Sequence, residues 1–429
     1  LADKIYVLID CNNFFVSCER LFRPDLEDKP VVVLSSNDGC VVARSNETKK
    51  LGIPMGAPAF KYKQSFKDNH IVQFSGSFEL YGDISKRITA LLATITPRIE
   101  IYSVDESFLD ITELPITDHV AWGRAVRDTV WKSIGVPVSI GIATSKTLAK
   151  LASEVAKQHN EYQGAFSFIG LEESERQRIL SHTPIQEVWG IGWRLAPKLR
   201  AEGVSTALGL ATMRPQHAGQ LMGVHGRQMV AELNGTSCYQ LAPEHQAAKS
   251  IMRSRTFGED TNQAHVLEAA IANMAARAGF HLRSQKLLAR RIGLFTCTNK
   301  HKPGYRRWAR EVHLHTPTND TGIIISELVK ELGAVYSSKQ YYHRLGVFLH
   351  DFAPEDALQT DLLGYVDSNT HDRSKARMEA LDLINTKWGK GKLYYATEDL
   401  SKAWQPRRNI SSPRYVSNWD ELPEAHIRP

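Results

Sequence analysis

Residues 5–10 read Ile-Tyr-Val-Leu-Ile-Asp, an apolar run closed by an acid. A run this short and this continuous predicts a strand covered on both faces. Residues 38–43 and 137–143 read the same way. Leu80, Ile84, Ile88, Leu91, Leu92 and Ile95 keep helical spacing and predict an amphipathic helix ending at Pro97. Trp122, Val126, Val130 and Ile134 predict a second helix, and Leu148, Leu151, Ala152 and Val155 a third. Between the first two, residues 98–111 predict a β-hairpin whose tip carries Asp105 and Glu106. From 171 to 235 the pattern becomes short helices punctuated by Gly190, Gly192, Gly203, Gly223 and Gly226. From 249 to 352, strand-like runs (292–298 and 344–350) mix with helices around 266–286 and 321–332. Beyond Pro354 the chain turns polar, with a tether at 367–370 and a later region carrying Trp388, Tyr394, Tyr395 and Trp404.

The 429 residues correspond to two to four domains. No apolar run approaches the ~18–20 residues of a membrane span, and the first residues lack the layout of a secretory signal. Cys11, Cys18, Cys40, Cys238 and Cys297 form no C-x-x-C pair, which argues against a zinc knuckle or a disulfide framework. A reduced cytoplasmic protein is expected. Charge changes the picture further. Between Lys249 and Phe352, 16 Lys and Arg stand against 8 Asp and Glu, while the whole chain carries only +6. One segment therefore holds the entire excess, the footprint of a nucleic-acid-gripping module. A basic solvated face is the plainer alternative.

Asp10 ends a buried strand, and Asp105 and Glu106 adjoin at a turn flanked by Ile99, Ile101, Phe108 and Ile111. Adjacent acids repel unless water or a cation compensates, and hard divalent cations take carboxylate oxygens. The alternative is a solvated turn and a helix cap. Periodicity alone does not bring Asp10 beside Asp105.

Three motifs carry a resemblance. Asp10-Cys11-Asn12-Asn13-Phe14-Phe15 comes first, then Tyr102-Ser103-Val104-Asp105-Glu106-Ser107-Phe108-Leu109-Asp110. Ser139-Ile140-Gly141-Ile142-Ala143 follows, with Ser145-Lys146-Thr147-Leu148-Ala149-Lys150-Leu151-Ala152-Ser153. In order and spacing they resemble the Y-family of translesion DNA polymerases, from Ile5 to about Phe352. Within that family the chain is most similar to the UmuC branch, the catalytic subunits of bacterial DNA polymerase V. The signs are Ser36-Asn37-Asp38-Gly39-Cys40-Val41-Val42-Ala43-Arg44, Val188-Trp189-Gly190-Ile191-Gly192, and a tail with Gly391-Lys392-Leu393-Tyr394-Tyr395 and Ser412-Pro413-Arg414-Tyr415.

The resemblance implies an α+β multidomain chain built as a right-hand polymerase. It would have a ferredoxin-like palm (1–14 and 79–170), small fingers (15–78), and a helical thumb with a helix-hairpin-helix (171–240). An α/β little finger (248–352) and a C-terminal tail (353–429) would follow. The implied activity is error-prone, template-directed DNA synthesis past lesions in the SOS response. Asp10, Asp105 and Glu106 would be catalytic and would bind two Mg²⁺ ions, with the backbone carbonyl of Cys11 as a further ligand. Nucleotide contacts would fall to Phe14, Phe15, Arg44, Lys49 and Lys157. Phe15 matches an aromatic steric gate against the sugar, a position where tyrosine is also common. Lys157 and Lys49 match phosphate-binding lysines. Asn46 stands where the family often has tyrosine, and Arg44 is a candidate substitute. Residues 38–42 resemble a small-residue roof that gives little discrimination between right and wrong base pairs.

Gly190, Ile191 and Gly192 resemble a hairpin whose backbone amides meet DNA phosphates, with 223–235 as a degenerate second copy. Arg253 and Arg255 alternate on a predicted strand, facing one side together, at the start of the DNA-riding little finger. Gln359, Asp361, Leu362 and Leu363 resemble a peptide that docks on the β sliding clamp. The implied partners are primer–template DNA, the clamp, the processed UmuD dimer and RecA, with dNTPs as substrates. A non-catalytic DNA-binding scaffold derived from a polymerase is the rival reading.

Overall fold

The computed structural model describes residues 4–242, 248–357, 368–389, 391–398 and 404–424. The chain forms two compact units: residues 1–34, 40–245 and 410–429 in the first, 35–39 and 246–409 in the second.

In the first unit β1 (Tyr6–Cys11) leads into α1 (Phe14–Arg20). Next come β2 (Val31–Leu34), β3 (Val41–Arg44), α2 (Asn46–Lys50), α3 (Ala59–Asp68) and β4 (Val72–Ser75). Strands β3-β2-β4 form a small sheet over Val32, Leu34, Ile53 and Phe66. The chain continues through α4 (Phe78–Ala93), β5 (Ile99–Ile101), β6 (Glu106–Asp110) and α5 (His119–Ile134). It then runs through β7 (Val138–Ala143), α6 (Lys146–Gln158) and β8 (Ala165–Ser167). These complete a five-stranded sheet of order β5-β6-β1-β7-β8.

The three helices expected from apolar spacing are α4, α5 and α6. α5 shows why its bounds hold. The Asp118 carboxylate accepts from the Ala121 amide at 2.9 Å, and Gly135 (φ 83) ends the helix by donating to the Trp131 carbonyl. β1 is buried on both faces: Val7, Ile9 and Cys11 pack in one cluster with α4 and α5, and Tyr6 and Leu8 in another with α6. α6 rides directly on β7 at Gly141, where an added Cβ would lie 2.1 Å from the Ala149 carbonyl oxygen and the Ser153 amide nitrogen. Any larger residue there would push α6 off the sheet.

Short helices α7 (Glu173–His182), α8 (Ala196–Ala201), α9 (Ala207–Ala211), α10 (Pro215–Met222) and α11 (Val224–Leu233) follow. Ile179, Leu199, Leu210 and Leu233 join the apolar cluster beneath α6.

The second unit contains β9 (Ser250–Thr261), α12 (Ala264–Ser284), β10 (Leu287–Cys297), β11 (Arg307–Thr318), α13 (Thr321–Val335) and β12 (Tyr342–Pro354). The sheet is antiparallel, ordered β11-β10-β12-β9. Both helices cover one face, over Ile251, Ile292, Leu294, Leu345, Val347 and Leu349. A further helix, α14 (Ser368–Trp388), begins where a tether was expected. It is anchored by Arg283 on Asp382 at 2.7 Å, Arg377 on Asp320 at 2.5 Å, and the buried Met378.

Residues 38–40 were expected to open a strand and do not. Ser36–Asp38 is a 3-10 turn with Asn37 (φ 62) and Asp38 (φ 50) left-handed, and β3 starts only at Val41. Asn and Asp tolerate that backbone, and their side chains offer it local hydrogen bonds in place of a ladder. In the second unit the Asn37 amide donates to the Phe257 carbonyl at 2.9 Å. In the first unit the tail returns to the β3-β2-β4 sheet. The Ser75 amide donates to the Ile410 carbonyl at 2.9 Å, and Tyr415 stacks on Phe22 with ring centroids 4.4 Å apart.

Candidate active site

Pairing brings the three acids together. β6 lies antiparallel to β1 with Asp10 opposite Glu106, and the Cys11 amide donates to the Asp105 carbonyl at 2.9 Å. Glu106 thus begins β6, and the turn itself is 102–105. Asp10 has the parity of Tyr6 and Leu8, so it faces α6. The turn is closed by the Tyr102 and Ser103 amides, which donate to the Glu106 carbonyl at 3.1 and 3.0 Å. The Ser103 hydroxyl donates to the Asp105 carboxylate and accepts from the amides of Asp105 and Glu106.

α6 presents Lys150, Glu154 and Lys157 one turn apart along one stripe. Lys157 pairs with Asp10 at 2.5 Å, and Lys150 pairs with Glu106. Burial pushes the Asp10 carboxyl up to about 7, against the pull of Lys157 and with Glu106 adding to the rise. Burial opposes the charge on Lys157, but Asp10 and Glu154 outweigh it and hold the ammonium above its ordinary value. A cleft of about 340 Å³ opens here, lined by Asp10, Glu106, Lys150, Glu154 and Trp189. Sequence reading missed Lys150 and Glu154 as site residues. The available signal was helical spacing: Glu154 stands three residues and Lys150 seven residues before Lys157.

Among the described residues no three His, Cys, Asp or Glu side chains gather tightly enough to hold a metal. The reason is visible: lysines take up Asp10 and Glu106, and Asp105 turns to Ser103. The donor chemistry nevertheless fits a hard cation, since three carboxylates stand on adjoining strand ends with only lysines neutralising them. Burial pushes the Cys11 thiol far up.

Phe15 is half-exposed, stacked on Tyr81 with centroids 4.3 Å apart and edge-on to Phe78 at 5.7 Å. The Tyr81 hydroxyl is fixed by a 2.7 Å bond to the buried Glu19. The Phe14 side chain lies buried in the core with α4, so what it could offer a nucleotide is backbone. Burial lowers Lys49, and Arg44 and Lys157 add repulsion, so these cations share one region. Arg44 also donates to the Ile53 carbonyl. Asn46 accepts from the Asn13 amide at 3.0 Å.

Gly190 has φ 87, and a Cβ there would meet the Met229 methyl at 2.4 Å. Ile191 is buried, so the hairpin offers backbone, not this side chain. Gly223 (φ 70) joins α10 to α11, the helix–turn–helix expected of a second copy.

Arg253 and Arg255 do share a face, but it is the face that bears α12. They pair with the buried Val347 and Leu345, and the parity is that of Ile251 and Phe257. The open face carries other arginines. Arg307 and Arg344 lie over the Phe295 ring at 5.3 and 5.7 Å. Phe295 and Phe348 cover Gly346 and Gly293 across the strands, which leaves this face flat. Gln359, Asp361, Leu362 and Leu363 lie outside the described residues.

Comparison with known proteins agrees with this geometry. Residues 9–154 match the impB/mucB/samB family, 248–362 match the C-terminal domain of that family, and 376–425 match a domain of unknown function, DUF4113. The chain is 39% identical to Protein UmuC of Salmonella typhimurium over 97% of this chain and 99% of that protein. It is 36% identical to Protein SamB of Salmonella typhimurium over 99% and 100%. A Y-family DNA polymerase chimera containing Dbh superposes with a TM-score of 0.63 at 21% identity, covering 82% of this chain and 99% of that one. An insertion ternary complex of Dbh DNA polymerase gives 0.55 over the same shares. The acids on β1 and β6, the aromatic step at Phe15 and the arginine-faced second sheet thus occur in a chain that belongs to the impB/mucB/samB family and has the Y-family DNA polymerase fold.

Proposed function

We propose that this protein is a translesion DNA polymerase that transfers nucleotides from dNTPs to a primer end. The observation that carries the reading is the meeting of Asp10, Asp105 and Glu106 on paired strand ends, beside a half-exposed Phe15. Asp10, Asp105, Glu106 and the Cys11 carbonyl would hold two Mg²⁺ ions. Bound there, Mg²⁺ supplies charge neutralisation of the triphosphate and activation of the primer 3′-hydroxyl. Lys157 and Lys150, the partners of Asp10 and Glu106, would be the cations nearest a polyanionic substrate held beside those acids. Lys157, Lys49 and Arg44 bind the triphosphate. Phe15, braced by Tyr81, excludes a 2′-hydroxyl by contact with the sugar.

DNA is held through its backbone. The 190–192 hairpin offers amides, and the open face of the second sheet offers Arg307 and Arg344. Similarity to Protein UmuC along the whole chain supports the processed UmuD dimer and RecA as partners. Residues 359–363 supply a peptide for the β sliding clamp. Among the described residues no helix is long and apolar enough to cross a membrane.

The test is primer extension with Mg²⁺ on undamaged and abasic templates, with and without the UmuD partner. Extension past the abasic site is the expected result. Primer–template binding with no incorporation under every condition would favour the scaffold.

A further inference from the structure

Trp189 of the thumb hairpin touches the catalytic turn. It immediately precedes Gly190, the first residue of the phosphate-facing hairpin. Its indole N–H donates to the Tyr102 hydroxyl at 2.9 Å. Its ring meets Tyr102, Phe108 and Tyr239 at centroid distances of 5.5, 5.8 and 5.7 Å. Tyr102 is the first residue of the turn that carries Asp105, and its amide closes that turn on Glu106. Its ring also lies 5.5 Å from the ammonium of Lys150, the partner of Glu106.

This contact has a fixed base. Glu232 of α11 is fully buried, and its carboxylate accepts from the Thr147 amide at 2.9 Å, in the first turn of α6. The same carboxylate accepts from the Cys238 and Tyr239 amides at 2.6 and 3.0 Å, and the Glu232 carbonyl accepts from Ser145. Beside Trp189, Lys146 is buried over Phe108 at 4.5 Å and paired with Glu100 at 2.7 Å. With the thumb tied at the start of α6, the Trp189 ring is a direct contact between it and the catalytic turn.

We infer that Trp189 is a positioning residue: through Tyr102 it couples the DNA-holding hairpin to the orientation of the Asp105–Glu106 turn. The inference rests on the polymerase reading. Packing alone predicts that any aromatic ring suffices. Coupling predicts that the hydrogen bond itself matters.

The test compares the full-length parent with Trp189→Phe, Tyr102→Phe and the double variant, all of which keep an aromatic ring at each position and of which Tyr102→Phe removes only the hydroxyl. Primer–template affinity should stay within about twofold of the parent. The maximal rate of single-nucleotide insertion should fall about threefold to tenfold in each single variant, the span of one hydrogen bond. The double variant should be no slower than the slower single one, because both lose the same bond. Amide exchange should quicken across 102–106 in the Trp189→Phe chain without DNA or metal. Parental rates in both single variants, multiplying defects in the double, or unchanged exchange would overturn the coupling. A parent that inserts no nucleotide under any condition overturns the polymerase reading instead, and exchange across 102–106 still decides whether the contact holds the turn.

Discussion

The sheet built on β1 and the sheet built on β10 place charge in different ways. Helices cover both faces of the first, so its charges sit at strand ends and each meets a partner: Asp10 with Lys157, Glu106 with Lys150, Glu100 with Lys146. Helices cover one face of the second, and its open face presents Arg307 and Arg344 to solvent over a flat pair of phenylalanines. Buried, paired charge is insensitive to salt and unforgiving of substitution. Exposed unpaired charge is the reverse. The proposed function puts chemistry on the first sheet and sequence-blind grip on the second.

The largest expected effect breaks the comparison on the first sheet. Asp105→Ala or Glu106→Ala should reduce extension by roughly a thousandfold or more, with primer–template affinity within a few-fold of the parent. Incorporation retained by both variants would remove the acids from the chemistry. Next, Phe15→Ala should raise ribonucleotide insertion relative to deoxynucleotide insertion by about tenfold or more, measured as a ratio of kcat/KM values. An unchanged ratio would mean that another residue guards the sugar.

On the second sheet, Arg307→Ala and Arg344→Ala should each weaken DNA binding several-fold and lower the salt slope of affinity by about one. Equal salt slopes in parent and variants would take that face out of the DNA interface.

The smallest effect concerns Asp320, a buried acid on the otherwise salt-sensitive unit. Its carboxylate caps α13 by accepting from the Gly322 amide at 2.7 Å and also meets Arg377 and Ser374. Burial raises its pKa, but the bonds from Ser374, Arg377 and the Ile323 amide prevail and hold it below the usual carboxylate range. A depressed folded value stabilises the fold above the ordinary pKa near ~4 and loses that contribution as pH falls through the folded value. Asp320→Asn should therefore cost ~0.5–2 kcal/mol in denaturant unfolding at pH 7, with the difference from the parent shrinking below pH 4. A constant difference across that range would show that the charge is not what the cap uses.

Legibility in the sequence followed the range of the interactions. β1, β7 and helices α4, α5 and α6 follow from local periodicity, because each buries a face its own residues define. The meeting of Asp10 with Glu106 depends on strand pairing across 96 positions, and only the motif resemblance supplied it. Lys150 was visible as part of a motif, but its role needed the face of α6 that reaches β6. For Arg253 and Arg255, alternation showed a shared side. The apolar Ile251 and Phe257 at the same parity already marked that side as the packed one. Asp38, Gly39 and Cys40 were read as strand beside Val41 and Val42, and turn chemistry overrode the apolar neighbours. Residues 368–370 were read as a tether for their polarity, yet the helix they open is held by side chains further on.

The tail's return to β4 has a consequence for how this protein meets others. Ser411 makes a single parallel bridge to Ser75 at the end of β4, the Ser75 amide donates to the Ile410 carbonyl, and Tyr415 stacks over Phe22. An edge strand left bare is a template for adventitious pairing, and this segment covers the end of that edge. It is also a tethered competitor. Any protein that captures the Ser412-Pro413-Arg414-Tyr415 stretch must first win it from a site that sees it at high local concentration. When it succeeds, it uncovers Phe22 and an unsatisfied β4 edge in the same event. Capture of the tail and exposure of Phe22 would therefore occur together.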